Sequence, residues 1–229
     1  MIIITGASRG IGNYLLNEFT KDSNEKVYGL SSKSEPEMIP NNCEYYKVDV
    51  TNEKEVNQFV KTIESNLNNI KLLHCAGIND NAFIHKMEYS DWQRVLKTNL
   101  DSAFLLTKYL LPLMRSQGYG RIIYFSSVVQ QIGVMGTASY SASKAGLKGL
   151  MRTVIKENSN KNITCNTLNL GYFDIGMIKE VPDEMLSSIT KNIPLGRLGD
   201  PINILNSINC IFNSDYLTGS EININGGLY

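Results

Sequence analysis

The sequence predicts an α/β fold, a doubly wound parallel sheet covered by helices on both faces. Three observations predict it. Short β-branched runs alternate with longer segments of helical period, a glycine-rich turn follows the first apolar run, and no Pro/Gly/Ser-rich linker divides the chain. With 229 residues, one domain spanning 1–229 is expected. A chain of this length buries enough surface to need neither a disulfide nor a structural metal. Cys43, Cys75, Cys165 and Cys210 lack C-x-x-C pairing and read as reduced thiols rather than a zinc or dithiol site.

Strands are expected at residues 2–4, 26–30, 44–48, 70–74, 121–125, 162–168 and 221–224. A helix over 13–20 follows the glycine turn, and 31–40 reads as a polar loop. Glu53 and Glu55 stand where they favour the positive end of the helix after Thr51. Ser90 with Gln93 suggests a capping box, and Asp200 before Pro201 suggests an N-cap ahead of a first-turn proline. The apolar stretch 105–114 is interrupted by Lys108, well short of the ~20 residues a membrane helix requires. Residues 171–194 read as an irregular excursion able to act as a lid.

Charge excludes some partners. Lys plus Arg number 22, as do Asp plus Glu, so no broad positive field exists to gather nucleic acid or an anionic membrane. The opening Met-Ile-Ile-Ile-Thr-Gly has no basic n-region or long apolar h-region, so a cytoplasmic location is expected. His74 and His85 are the only histidines and lack a third ligand at metal spacing, so no metal site is expected; His74 reads as a strand end and His85 as loop surface.

Two motifs carry chemistry. Thr5-Gly6-Ala7-Ser8-Arg9-Gly10-Ile11-Gly12 lies between strand and helix, where bare α-carbons and unpaired helix N–H groups suit a pyrophosphate. Its spacing is G-x-x-x-G-x-G, not the commoner G-x-G-x-x-G. Tyr140 and Lys144, four apart on one helix face, bring a phenol and an ammonium together, and a fixed cation there would lower the phenol pKa. Alone, Tyr-x-x-x-Lys is a common accidental spacing. Here Ser127 lies thirteen residues upstream of Tyr140, and Asn99 sits in Lys97-Thr98-Asn99-Leu100.

With these motifs in this order, and Ala76-Gly77 ending the fourth strand, the chain resembles the short-chain dehydrogenase/reductases along its whole length. Pro194-Leu195-Gly196-Arg197-Leu198-Gly199 and the ending Ile224-Asn225-Gly226-Gly227-Leu228-Tyr229 look most like 3-oxoacyl-acyl-carrier-protein reductases. The resemblance implies a Rossmann fold and reduction of a ketone or 3-oxo group to a secondary alcohol by NADPH. Tyr140 would exchange the proton with the carbonyl oxygen, and Lys144 would hold the nicotinamide ribose and lower the Tyr140 pKa. Ser127, rather than Ser126, would bind the carbonyl oxygen, and Asn99 would hold a relay water.

The cofactor would meet Gly6, Ser8, Arg9, Gly10, Ile11 and Gly12 in the turn, Ser31 and Ser32 after the second strand, and Asp49 and Val50 at the adenine. Cys75, Ala76, Gly77, Gly171 and Ile175 would complete the set with Tyr140 and Lys144. Ser31-Ser32-Lys33 replaces the acid that would repel a 2′-phosphate, so NADPH is favoured over NADH. Three residues depart from the family pattern: Cys75 stands for Asn, Leu170 for Pro and Ile175 for Thr. Those departures keep open a nucleotide-binding regulator without turnover, and a reductase acting on sugars, polyols or secondary metabolites is the other alternative. Tyr172, Phe173 and Met177 offer an apolar substrate wall. A homodimer or homotetramer is implied, pairing through the helix before Arg121 and the one carrying Tyr140, with Leu106, Leu110 and Met114 as apolar surface or as ordinary core.

Overall fold

The structure is a computed structural model of the chain and describes residues 1–21 and 25–229. The elements run β1 (Ile2–Thr5), α1 (Gly10–Phe19), β2 (Val27–Ser31), β3 (Cys43–Lys47), α2 (Glu53–Ile63), β4 (Lys71–His74), α3 (Tyr89–Leu96), α4 (Ser102–Gln117) and β5 (Gly120–Ser127). They continue α5 (Val129–Ile132), α6 (Ala138–Asn158), β6 (Ile163–Leu170), α7 (Asp183–Asn192), α8 (Ile202–Phe212) and β7 (Glu221–Ile224). The seven strands pair in parallel in the order β3-β2-β1-β4-β5-β6-β7. The order reverses between β1 and β4, which opens a crevice at their carboxyl ends, where such sheets bind ligands.

Residues alternate faces along a strand, so each strand feeds two cores. Ile3, Tyr28, Leu30, Leu72 and Ile122 pack with α2, α4 and α6, whereas Ile2, Ile4, Val27, Leu73 and Ile123 pack with α1 and α8. This two-sided burial explains the continuous apolar runs.

All seven predicted strands exist, with ends that move by one or two residues. β5 and β6 run on to Ser127 and Leu170 because both faces remain covered there. Three expectations are corrected. The first helix starts at Gly10, inside the glycine turn. Ser90 caps nothing: α3 already begins at Tyr89, and the Glu88 carbonyl accepts from Asp91 and Trp92, so Ser90 lies inside the helix. Residues 171–194 are not irregular throughout, since they contain a 3₁₀ turn (Gly176–Glu180) and α7. Asp200 does cap α8, its carboxylate accepting from the Ile202 N–H at 2.9 Å. Asn52, followed by Glu53 and Glu55, caps α2 by accepting from Lys54 N–H at 3.1 Å. Leu106, Leu110 and Met114 are fully buried against the sheet, so they are core and not a pairing surface. No described helix is long and apolar enough to cross a membrane.

Candidate active site

The glycine turn is built by close backbone approach. Gly6 has φ +65°, and a Cβ there would lie 3.1 Å from the Ala76 α-carbon, so the loops after β1 and β4 touch at the switch point. A Cβ on Gly12 would lie 2.3 Å from the Gly6 carbonyl oxygen. Gly12→Ala is therefore expected to cost ~1–3 kcal/mol and to abolish dinucleotide binding, read by thermal unfolding and by NADPH fluorescence titration. The 3₁₀ turn at Gly176 closes over the same place, its α-carbon 3.2 Å from where a Gly10 Cβ would be, just after Ile175 in the chain. A cradle of bare α-carbons at the start of α1 fits a pyrophosphate.

At the end of β2 lies a cluster of hydroxyls. Tyr45 donates to Ser31 Oγ at 2.8 Å, Ser31 donates to the Ser34 carbonyl, and Ser34 Oγ donates to Ser8 Oγ at 2.8 Å. Ser31 thus lies at the expected edge with its proton given to the Ser34 carbonyl. Arg9, Ser32 and Lys33 are exposed, and among the described residues they make no side-chain bond or ion pair. Glu35 pairs with Lys47 at 2.9 Å. Asp49 accepts from Thr51 N–H and Oγ1 at 2.9 and 2.8 Å, which fixes the Asp49-Val50 corner after β3.

The catalytic candidates converge. Ser127 ends β5, its Oγ accepting from Val129 N–H at 3.3 Å, and its hydroxyl is near enough to the Tyr140 phenol, in the first turn of α6, to influence its titration. Ser126 is spent elsewhere, donating to the Lys144 carbonyl at 3.1 Å. Lys144 is buried, lies 5.5 Å from the Tyr140 ring centroid and donates to the Phe125 carbonyl at 2.6 Å. Its amine has room because Gly77 carries no side chain: a Cβ there would be 3.3 Å from Nζ and 3.5 Å from Asn99 Oδ1.

In the ligand-free protein burial pushes the Tyr140 phenol up to about 12, against which the nearby Ser127 hydroxyl acts, and burial brings the Lys144 amine down to about 8. Both groups move toward neutrality because both leave water, and the amine is drawn to Phe125 rather than to the phenol oxygen.

Asn99 lies in a π-helical turn (Lys97–Asp101), a form concentrated at functional sites. Its amide makes three bonds: Oδ1 accepts from Ile78 N–H at 2.8 Å, while Nδ2 donates to the Ile78 carbonyl at 2.9 Å and to Ser143 Oγ at 3.0 Å. Its side chain fixes the loop after Gly77. Cys75 sits in the same loop, its thiol pushed up by burial and so kept protonated. Gly171 donates to the Ile224 carbonyl at 2.9 Å. Tyr172 and Phe173 line a cavity of about 710 Å³ with Leu195, Arg197 and Asn225, from which exposed Met177 is absent.

His74 was read only as a strand end. It is fully buried, with Thr5 Oγ1 3.1 Å from Nδ1 and Ser102 Oγ 3.1 Å from Nε2. Thr5 Oγ1 also accepts from Ala76 N–H at 2.9 Å, and Ser102 donates to the Thr98 carbonyl at 2.5 Å. One imidazole therefore joins the glycine turn, the β4 loop and the π turn. The available signal was a polar residue closing each of two apolar strands, for Thr5 and His74 are register partners. Tyr45 had a similar signal, lying in register beside Gly29.

Residues 1–186 match the family model described as short chain dehydrogenase. An acetoacetyl-CoA reductase of Rhizobium meliloti is 34% identical over 99% of this chain and 97% of its own. A 3-oxoacyl-acyl-carrier-protein reductase of Vibrio cholerae is 31% identical over 99% and 96%. A crystal structure titled as a candidate gluconate dehydrogenase from Agrobacterium tumefaciens superposes with a TM-score of 0.91 at 25% identity, over 100% of this chain and 95% of that one. With the glycine cradle at the switch point and Ser127, Tyr140 and Lys144 gathered beside it, the match over most of the chain makes this protein a member of the short-chain dehydrogenase/reductase family, an oxidoreductase acting on C=O and CH–OH groups.

Proposed function

We propose that the protein reduces a 3-oxoacyl thioester to the 3-hydroxyacyl thioester with NADPH. The carrying observation is the gathering of Ser127 and Tyr140 beside the buried Lys144 amine, at the sheet edge where the glycine turn lies. NADPH supplies the hydride when bound. Gly6, Gly10, Ile11 and Gly12 would hold its pyrophosphate, and Ser8, Arg9, Ser32 and Lys33 the ribose 2′-phosphate. Tyr140 gives its proton to the substrate oxygen, Ser127 donates a hydrogen bond to the same oxygen as charge develops there, and Lys144 supplies the nearby positive charge. With Glu35 held by Lys47, its charge is partly offset near an incoming phosphate.

An acyl chain is favoured over a polyol by the rim around α6. Ala82 bridges Thr137, three residues before Tyr140, and Phe83, Ile84 and Met135 flank that bridge with exposed apolar side chains. The similar enzymes from Rhizobium and Vibrio are named for 3-oxo substrates. Reduction of sugars or polyols is the second reading, favoured by the likeness to the gluconate dehydrogenase candidate. The test follows nucleotide oxidation with acetoacetyl and longer 3-oxoacyl thioesters against keto-sugars, using NADPH and NADH. Turnover on 3-oxoacyl thioesters at least tenfold above keto-sugars, with NADPH the better donor, is the expected outcome; the reverse order refutes the assignment. We further infer assembly as a homodimer or homotetramer in the cytoplasm, with exposed Phe104 on the outer face of α4 as an apolar contact. A monomer in sedimentation at micromolar concentration would refute the assembly.

A further inference from the structure

Tyr45 belongs to none of the motifs, yet three observations tie it to the nucleotide end of the cleft. Its hydroxyl donates to Ser31 Oγ at 2.8 Å and lies 3.4 Å from the Ser34 carbonyl, so it is joined to both ends of the turn 31–34. Its ring lies across Gly29 on the neighbouring strand, where a Cβ would come within 2.7 Å of Cδ2 and 3.0 Å of Cε2, so only the bare glycine admits the ring in this position. The turn is fastened in its turn to the glycine loop, because Ser34 Oγ donates to Ser8 Oγ at 2.8 Å. Burial pushes the Tyr45 phenol pKa up, and the neighbouring Ser31 and Ser8 hydroxyls oppose that shift. The phenol stays protonated and donating at neutral pH.

The direction of each bond decides what remains for a ligand. Ser31 gives its proton to the Ser34 carbonyl and receives one from Tyr45, while Ser34 gives its proton to Ser8. Ser8 keeps its own proton, and Ser32, Lys33 and Arg9 carry donors without partners among the described residues. Every remaining group is a donor or a cation, and that set suits a phosphate dianion. We propose that Tyr45 is a positioning residue for nucleotide choice: its hydroxyl locks the turn 31–34 so that Ser8, Arg9, Ser32 and Lys33 converge on the ribose 2′-phosphate. The inference rests on the NADPH reading above, and it assigns the organising role to a residue outside the sequence motifs.

The test is Tyr45→Phe, which keeps the ring over Gly29 and removes one hydroxyl. Binding of NADPH and NADH is measured by fluorescence titration, and 2′,5′-ADP is used as a competitor carrying only the phosphorylated ribose end. Tyr45→Phe is expected to weaken NADPH and 2′,5′-ADP about fivefold, the equivalent of one neutral hydrogen bond, and to leave NADH and the thermal midpoint unchanged. Equal weakening of NADPH and NADH, or no change in either, overturns the proposal, since plain packing would not separate the two nucleotides. A wild-type protein that binds both equally refutes the NADPH reading itself, and that result is read before any variant is made.

Discussion

Tyr140→Phe is expected to lower kcat for carbonyl reduction by ~10²–10⁴-fold, the range for loss of a positioned proton donor, with the NADPH dissociation constant and thermal midpoint little changed. The reduced substrate needs a proton on its oxygen, and the phenol is placed to give it. With its pKa pushed up to about 12 by burial, Tyr140 is fully protonated at neutral pH in the ligand-free protein, which is the donor state for reduction. Ser127 stands near that phenol and remains in the variant, so residual turnover reports what Ser127 and Lys144 do without an acid. Lys144 gives the companion pH dependence. Its amine is brought down to about 8, so the cation is present below that pH and is lost above it. Wild-type kcat/KM for reduction should be level from pH 6 to about 7.5 and decline through about 8. The Phe variant measured at pH 7 against wild type isolates the proton; equal rates would remove Tyr140 from the chemistry.

The parallel sheet was legible because burial on both faces leaves continuous apolar runs, as in Ile2–Thr5 and Lys71–His74. The glycine turn was legible for a different reason: backbone approach at 2.3 Å permits no other residue at Gly12. Tyr140 and Lys144 were legible because Ser127 and Asn99 accompany their helical spacing, and spacing by itself says little about electrostatics. It places two groups on one face without telling which acceptor the amine finds, and here Phe125 O takes it. Nor does the sequence tell where the Ser31 proton goes; a carbonyl three residues on takes it. Capping at Ser90 failed because Tyr89, one residue earlier, is already helical, a boundary that side-chain chemistry leaves open by a residue or two. His74 and Tyr45 stayed hidden because their partners, Ser102 and Ser31, are far away in sequence.

His74 carries the second large effect, on stability rather than rate. Ser102 donates to the Thr98 carbonyl, which can only accept, so His74 Nε2 must bear the hydrogen that reaches Ser102 Oγ. Nδ1 then accepts the Thr5 hydroxyl proton, while Thr5 Oγ1 accepts from Ala76 N–H. The chain of bonds is complete with a neutral ring, and a second proton on Nδ1 would turn the Thr5 hydroxyl away from its acceptor. Burial, with the nearby Lys144 charge adding to it, brings the His74 pKa from 6.5 down to about 3. Between these values the unfolded chain binds the proton and the folded protein does not. The contribution is therefore complete above pH 6.5 and is lost as pH falls toward 3. At 1.36 kcal/mol per pH unit the loss from this residue is about 2 kcal/mol at pH 5 and about 5 kcal/mol at pH 3, a large share of a typical 5–15 kcal/mol. Urea unfolding of wild type and His74→Gln at pH 7 and pH 5 separates this from carboxylate titration and from exposed His85, which both proteins share. The variant is expected to be less stable at pH 7, because an amide cannot span Thr5 and Ser102 as the ring does, and to lose about 2 kcal/mol less on going to pH 5. Identical pH dependence in the two proteins would mean that the imidazole is protonated inside the fold, with Nδ1 donating to Thr5 Oγ1 and the Thr5 hydroxyl proton turned elsewhere.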